Sequence, residues 1–281
     1  MNAPTSPYQT DREPADLEYD FSASPAPDDR RFSTTLAKGL EILRCFTSVR
    51  PELTNNELAE RTGLSCATIS RFTYTLIKLG YLRSKPATGK YMLGPAVISL
   101  GYPLLAAITL RQVARPLMNE LATALQSSVS MGIRDRLSVV YVETSRSNSV
   151  WSGQMSDIGL RYPIASSAIG RALVAGCEPL AREGLLNEIK LRTPVIWARY
   201  RDRLQQAHNE FARKGFCSSY GEQNPNYCAV GVPVGRTADG ELIVLNCVVQ
   251  SHMASRETME STLGPKLVAM AAQLRQAVRF T

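Results

Sequence analysis

Thr54-Asn55-Asn56-Glu57-Leu58-Ala59-Glu60-Arg61-Thr62-Gly63-Leu64-Ser65-Cys66-Ala67-Thr68-Ile69-Ser70-Arg71 is the stretch from which the fold is read. It opens with a capping box: the Thr54 hydroxyl can accept the Glu57 amide while the Glu57 carboxylate reaches back to the Thr54 amide. Leu58 and Ala59 supply the buried side of a short helix. Gly63 can take the left-handed conformation that ends it and swings the chain round. Ser65 then caps a longer helix whose expected apolar face is Ile69, Phe72, Leu76 and Leu79, with Gly80 as its stop. Upstream, Leu36, Leu40, Leu43 and Phe46 recur at helical spacing and predict a first helix that ends before Pro51. Downstream, Tyr81-Leu82-Arg83-Ser84 and Lys90-Tyr91-Met92-Leu93 read as strands around a turn at Pro86-Ala87-Thr88-Gly89. Helix, short helix, tight turn, helix and hairpin in this order predict a winged helix-turn-helix over residues 31–94.

Such a module places the N-terminal part of its third helix in the major groove of double-stranded DNA. With the apolar face turned inward, Cys66, Ala67, Thr68, Ser70, Arg71 and Tyr74 face outward. Arg71 alone among them can fork onto guanine O6 and N7, a contact worth about 1–3 kcal/mol of discrimination. Thr68 and Ser70 can reach phosphates or base edges, and Ala67 a thymine methyl. Tyr74 reads equally as a phosphate contact or a packing residue, and Ser65 chiefly as a cap that lies near the same surface. Arg83, Lys85 and Lys90 flank the turn of the wing and suit phosphate or minor-groove contact; Arg30 and Arg31 could form an arm ahead of the first helix.

Charge follows the same division. Of a formal +7 over 281 residues, residues 30–94 carry a net +7 and residues 1–29 a net −6. A basic segment this short suits a polyanion partner, although on charge alone a solvated basic face explains it as well. Residues 1–30, rich in Pro and acids, lack a periodic apolar face and are expected to be a disordered extension. They are also the opposite of a cationic signal or transit peptide, and no run approaches the ~20 apolar residues that span a bilayer. A cytoplasmic protein without membrane contact is expected.

Beyond the wing, residues 95–110 read as a linker helix with a kink or break at Gly101 and Pro103, and residues 111–281 as a second domain. A helix from Arg111 to Leu125, with Val113, Leu117, Leu121 and Leu125 as its stripe, leads into two strands at 129–133 and 137–142. Helices follow at about 166–176, 178–188 and 200–214. Two further strands, 227–234 and 241–250, and a last helix over 255–279 complete an α/β or α+β domain with its own core. Cys45, Cys66, Cys177, Cys217, Cys228 and Cys247 form no C-x-x-C pair, and His208 and His252 stand alone, so no metal site is expected.

Residues 33–94, through Ser33-Thr34-Thr35-Leu36-Ala37-Lys38-Gly39-Leu40, the Leu58–Ser65 run, Leu79-Gly80-Tyr81-Leu82 and Tyr91-Met92-Leu93-Gly94, resemble the DNA-binding domain of IclR-type bacterial transcription regulators. The likeness continues through Gly159-Leu160-Arg161-Tyr162-Pro163, Ser167-Ala168-Ile169-Gly170-Arg171-Ala172 and Pro233-Val234. It implies an α+β architecture: an N-terminal winged helix-turn-helix, a linker helix and a GAF-like α/β effector-binding domain. It also implies a homodimer, often paired into a tetramer, with a small-molecule effector and no cofactor. Carried over, the effector site falls on Met131, Pro163, Ser167, Ser219, Glu222, Ala229, Asn246 and Val248. The chain departs from the family pattern here. A run of carboxylates is reduced to Glu222, the family's Cys falls on Ala229 with Cys228 one position away, and Asn246 and Val248 stand where serines are common. A larger, less polar effector such as an aromatic acid is expected, with Asn246 and Ser219 as its main polar contacts; these residues packing a core is the alternative.

Two other readings remain on the residues alone. An enzyme could use Ser166 or Cys228 as nucleophile, but neither a Gly-x-Ser-x-Gly elbow nor a phosphate-binding Gly loop accompanies them. The winged helix could instead bind protein, against which its net charge argues.

Overall fold

The computed structural model describes residues 30–147 and 157–277, so the acidic extension expected at residues 1–30 falls almost wholly outside it. The described chain divides into two compact units that meet between Ile108 and Thr109.

The first unit holds α1 (Thr34–Arg44), β1 (Glu52–Leu53), α2 (Asn55–Thr62), α3 (Cys66–Lys78), β2 (Leu82–Lys85), β3 (Lys90–Leu93) and α4 (Ala96–Ala107). The capping box forms as expected, with the Glu57 carboxylate accepting from the Thr54 amide at 2.7 Å. Those bonds favour the ionised form and hold the Glu57 carboxyl below its ordinary range. The cap is therefore complete at neutral pH and is lost as pH falls through that lowered value. Gly63 caps α2 at φ +66°, and the wing pairs Leu82 with Leu93 and Lys85 with Lys90. A third strand completes the wing: β1 pairs Glu52 with Met92, so two residues that the sequence reading left unassigned between helices close the sheet.

The core of this unit is Ile42, Cys45, Phe46, Leu53, Leu58, Ile69, Leu76 and Leu82, with Phe72 packed against it. Two expected stripes shift. On α1, Leu36 and Leu40 are 63% and 46% exposed while Ile42 faces inward; just past its end Cys45 is buried, and so is Phe46, as the expected stripe has it. Two adjacent rows of α1 are apolar, so spacing alone does not choose between them, and only its C-terminal half reaches the core. On α3, Leu79 lies beyond the last turn and is exposed, while Thr73 is buried. Thr73 can be buried because its hydroxyl donates to the Ile69 carbonyl at 2.9 Å. Of the kink or break expected at Gly101 and Pro103, the break is absent, and α4 runs to Ala107 with Pro103 inside it. Pro103 leaves the Ser99 carbonyl without its helical donor, but both residues are exposed and water can replace it.

The second unit comprises α5 (Leu110–Leu125), β4 (Ser128–Asp135), β5 (Ser138–Arg146), β6 (Arg161–Pro163), α6 (Ala168–Gly176), α7 (Pro179–Arg192), α8 (Pro194–Lys214), β7 (Cys217–Tyr220), β8 (Tyr227–Arg236), β9 (Leu242–Gln250), α9 (Arg256–Thr258) and α10 (Gly264–Ala277). The single long helix expected at the end is divided by a π-helical turn at Met259–Leu263. The stripe on α5 is Leu110, Ala114, Met118, Leu121 and Ala122, one position round from the expected Val113 and Leu117. The strands form one antiparallel sheet in the order β6-β5-β4-β9-β8-β7, in which the edge strands β6 and β7 are additions to the sequence reading.

Helices cover both faces of this sheet. α6 lies so close on one that a Cβ at Gly231 would sit 2.5 Å from the Ala168 carbonyl oxygen. On the other, Arg111 and Arg115 of α5 reach the buried Glu143 carboxylate at 3.1 and 2.8 Å. Strand parity then decides which residues can share a site.

Candidate DNA-contact surface and effector site

The α3 surface is built from the cap outward. Ser65 Oγ accepts from the Thr68 amide at 3.3 Å and lies 2.9 Å from the Thr68 hydroxyl, so both side chains are engaged in the cap. Ser70 Oγ donates to the Cys66 carbonyl at 2.9 Å and accepts from Asn55 Nδ2 at 2.7 Å, while the Cys66 thiol points to Asn56 Oδ1 at 3.4 Å. These contacts fasten the start of α3 to α2 and occupy hydroxyls that the sequence offers to DNA. Asn55 and Asn56 are the participants that the sequence reading missed, and their place in the first turn after a cap is the signal that could have found them. Ala67 and Arg71 are exposed on the same half of the helix. Tyr74 is also exposed, with Lys78 Nζ 5.4 Å from its ring centroid, so it has no core role.

The wing cations share one face. Arg83 and Lys85 are two residues apart on β2, and Lys90 stands directly across from Lys85. Like charges directly opposed cost stability unless an anion lies between them. Glu52, on the same face through its pairing with Met92, binds Lys85. Lys85 is thus partly neutralised within the protein, which its sequence position does not reveal. Arg31 is exposed just ahead of Ser33, the α1 cap. Glu52→Gln is expected to raise affinity for any duplex and to steepen the salt dependence by roughly one counterion. Titrations at several salt concentrations check this, and an unchanged slope would count against a phosphate role for Lys85.

In the second unit, strand pairing sorts the effector candidates. Ser219, Ala229 and Val248 lie in one row across β7, β8 and β9, and Asn246 stands two residues along on the same face, paired with Ser130 and Gly231. This is the face under α6, whose N-terminal loop carries Pro163 and Ser167. Two candidates are corrected. Met131 pairs with Glu143 and Leu245 and therefore faces α5, on the opposite side of the sheet. Glu222 binds the fully buried Arg171 of α6 and lies 3.6 Å from Arg203. Arg171 also donates to the Ser218 carbonyl at 2.5 Å. Glu222 thus serves as the counter-ion of a buried cation. A lone Arg within the apolar run Ala168–Gly176 was the available signal.

Ser167 is committed as well: its hydroxyl caps α6 through the Gly170 amide and donates to the Pro163 carbonyl at 2.6 Å. Cys228 faces away from Ala229 and its row, with its thiol 3.7 Å from the Ser251 hydroxyl. Asn246 is different. Its Nδ2 donates to the Tyr141 hydroxyl at 2.7 Å, while its buried Oδ1 has no partner among the described residues. Tyr141 stacks on Tyr162 at 4.5 Å between ring centroids, which sets an aromatic wall beside that amide.

The sequence matches the IclR helix-turn-helix domain over residues 35–86 and the bacterial transcriptional regulator IclR C-terminal domain over residues 103–276. The HTH-type transcriptional regulator TsaQ1/TsaQ2 of Comamonas testosteroni is 34% identical over 246 residues, covering 87% of this chain and 88% of that protein. A crystal structure of an IclR family transcriptional regulator from Brucella abortus is 38% identical and superposes with a TM-score of 0.78, over 91% of this chain and 96% of that one. An IclR homologue from Microbacterium hydrocarbonoxydans, crystallised with 4-hydroxybenzoate, shares the fold at 21% identity and a TM-score of 0.65, over 86% of this chain and 100% of that one.

Proposed function

Because the chain belongs to the IclR family of ligand-responsive bacterial transcription regulators, which are not enzymes, we propose that it acts in the cytoplasm as a homodimer, or a pair of dimers. In this reading it docks α3 of each protomer into a half-site of a pseudo-palindromic operator. The carrying observation is the presentation of Arg71: an exposed arginine on the N-terminal half of a capped helix, in a unit with a wing whose three cations share a face. Arg71 would read guanine, with Ala67 beside it; Arg83, Lys85, Lys90 and Arg31 would hold phosphates. Ser65, Cys66, Thr68 and Ser70 would set the helix at the groove rather than specify sequence. Support for self-association comes from α4, where Ile98, Leu100, Tyr102 and Leu104 are all more than half exposed. No single helix among the described residues is long and apolar enough to cross a membrane.

The effector in this reading is a hydroxylated aromatic acid held on the sheet face under α6. Asn246 Oδ1 would accept from its hydroxyl, Ser219 would supply a second polar contact, Ala229 and Val248 would line it, and Tyr141 would stack near its ring. The 4-hydroxybenzoate bound to the distant homologue is of that chemistry. A ligand shifts the DNA affinity only by its differential affinity for the two states. Anisotropy on the DNA upstream of the gene, with and without 4-hydroxybenzoate, tests the whole reading. Calorimetry should show saturable binding, weakened at least about tenfold by Asn246→Leu through loss of a buried hydrogen bond. Tight binding of pyruvate or glyoxylate with no response to aromatic acids would reject this effector class.

A further inference from the structure

Away from the face under α6, the second unit contains a recess of about 330 Å³ between α8, β7 and the start of α9. Arg203, Glu210, Arg213 and Lys214 line it from α8, Ser218 and Tyr220 from β7, and Arg256 from α9. Arg203, Arg213 and Lys214 stand seven, three and four positions from Glu210 and therefore share one side of the helix. Four cations here meet one lining carboxylate, and that carboxylate is already engaged. Glu210 accepts from the Ser218 hydroxyl at 2.6 Å and lies 3.5 Å from Lys214 Nζ. Lys214 also binds Glu260 at 2.9 Å. Arg213 and Arg256 make no ion pair within 4.0 Å among the described residues, although Glu260, whose carboxyl is held below its ordinary range first by its hydrogen bond with Lys214, also feels both charges.

Two details give this recess the character of a site. The Arg256 guanidinium lies 4.9 Å from the centroid of the Tyr220 ring, which aims it along the wall. The Tyr220 hydroxyl is itself buried and without a partner among the described residues. Guanidinium groups that converge in this way match the paired oxygens of carboxylates and phosphates. The enclosure by a strand and two helical elements suits a compact ion better than an extended duplex backbone.

We propose that this recess is a second small-molecule site, selective for a multiply charged anion bearing phosphate or carboxylate groups and separate from the face that Asn246 marks. Arg213 and Arg256 supply the charge and the paired donors, and the Tyr220 hydroxyl adds a neutral one. Arg203 links the site to α6, because it also stands 3.6 Å from Glu222, the counter-ion of Arg171. An anion in the recess competes with Glu222 for Arg203, so its occupancy bears on the helix that covers the effector face.

Calorimetry at low salt with inorganic pyrophosphate and, separately, citrate tests the assignment on the full-length protein. The expected result is one saturable site per chain for at least one probe, and the arm that binds identifies the phosphate or the carboxylate class. Arg213→Gln/Arg256→Gln changes only exposed side chains and should weaken that binding roughly tenfold or more, with an unchanged urea midpoint. Asn246→Leu should leave the binding intact, so failure of this site and failure of the effector reading are distinguishable. Heats of dilution alone for both probes would overturn the proposal, as would equal binding by the double variant or loss of binding in Asn246→Leu. A double variant that loses duplex affinity while keeping the anion would assign these cations to DNA and overturn it as well.

Discussion

Arg71→Ala is expected to erase discrimination between the operator and a random duplex while leaving the folded protein intact. The side chain is exposed, takes part in no ion pair among the described residues, and lies outside the cluster built on Ile42, Leu58, Ile69 and Leu76. Its removal therefore opens no cavity and strands no buried group, and surface changes of this kind usually alter stability by less than about 0.5 kcal/mol. A bidentate guanine contact contributes about 1–3 kcal/mol, and a dimer makes the contact twice. Operator affinity should fall about 10- to 100-fold per half-site, towards the level of random DNA, which loses only a phosphate-range contribution. Anisotropy titrations against both duplexes at one salt concentration measure the ratio. Equal losses on the two would remove Arg71 from base recognition.

Glu222→Ala should instead damage the second unit itself. Arg171 is fully buried, and the substitution leaves its charge with the neutral Ser218 carbonyl as a hydrogen-bond partner and no adjoining carboxylate. Breaking a buried pair in this way costs about 3–5 kcal/mol. For a unit of this size that corresponds to roughly 6–20 °C in melting temperature. Arg203→Gln, by contrast, removes a half-exposed partner at 3.6 Å and should cost less than about 1 kcal/mol. Replacing both members of the buried pair, Arg171→Met with Glu222→Leu, should recover much of the loss because no uncompensated charge remains. Urea unfolding of the three variants makes the comparison. If Glu222→Ala left the midpoint unchanged and weakened effector binding, Glu222 would return to the effector site.

These expectations rest on parts of the chain that were unequally legible. The capping box at Thr54 and Glu57, the left-handed Gly63, the Ser65 cap and the hairpin around Pro86 were readable because each is made by residues three or four apart. The inward row of α1 was not, because Leu36 and Leu40 compete with Ile42, and the choice belongs to the helices packed against them. Glu222 was read as an effector contact, and its ion pair with Arg171 was not foreseen. Its partner Arg171 lies 51 residues away, and no local pattern announces the pairing. Lys85 was placed beside the turn of the wing, but Glu52 became its neighbour only through a strand that the sequence reading did not contain.

By itself the sequence determined the two-part organisation, the winged helix with its caps and turns, and the surface on which Arg71 stands. Tertiary structure alone decided that Met131 turns away from Asn246 and that Glu222 neutralises a buried guanidinium. The physical reason is range. Caps and turns are closed by hydrogen bonds along a few residues of chain. Strand parity and the burial of charge depend on which distant segments come to lie side by side, and one step of register moves a side chain to the other side of the sheet.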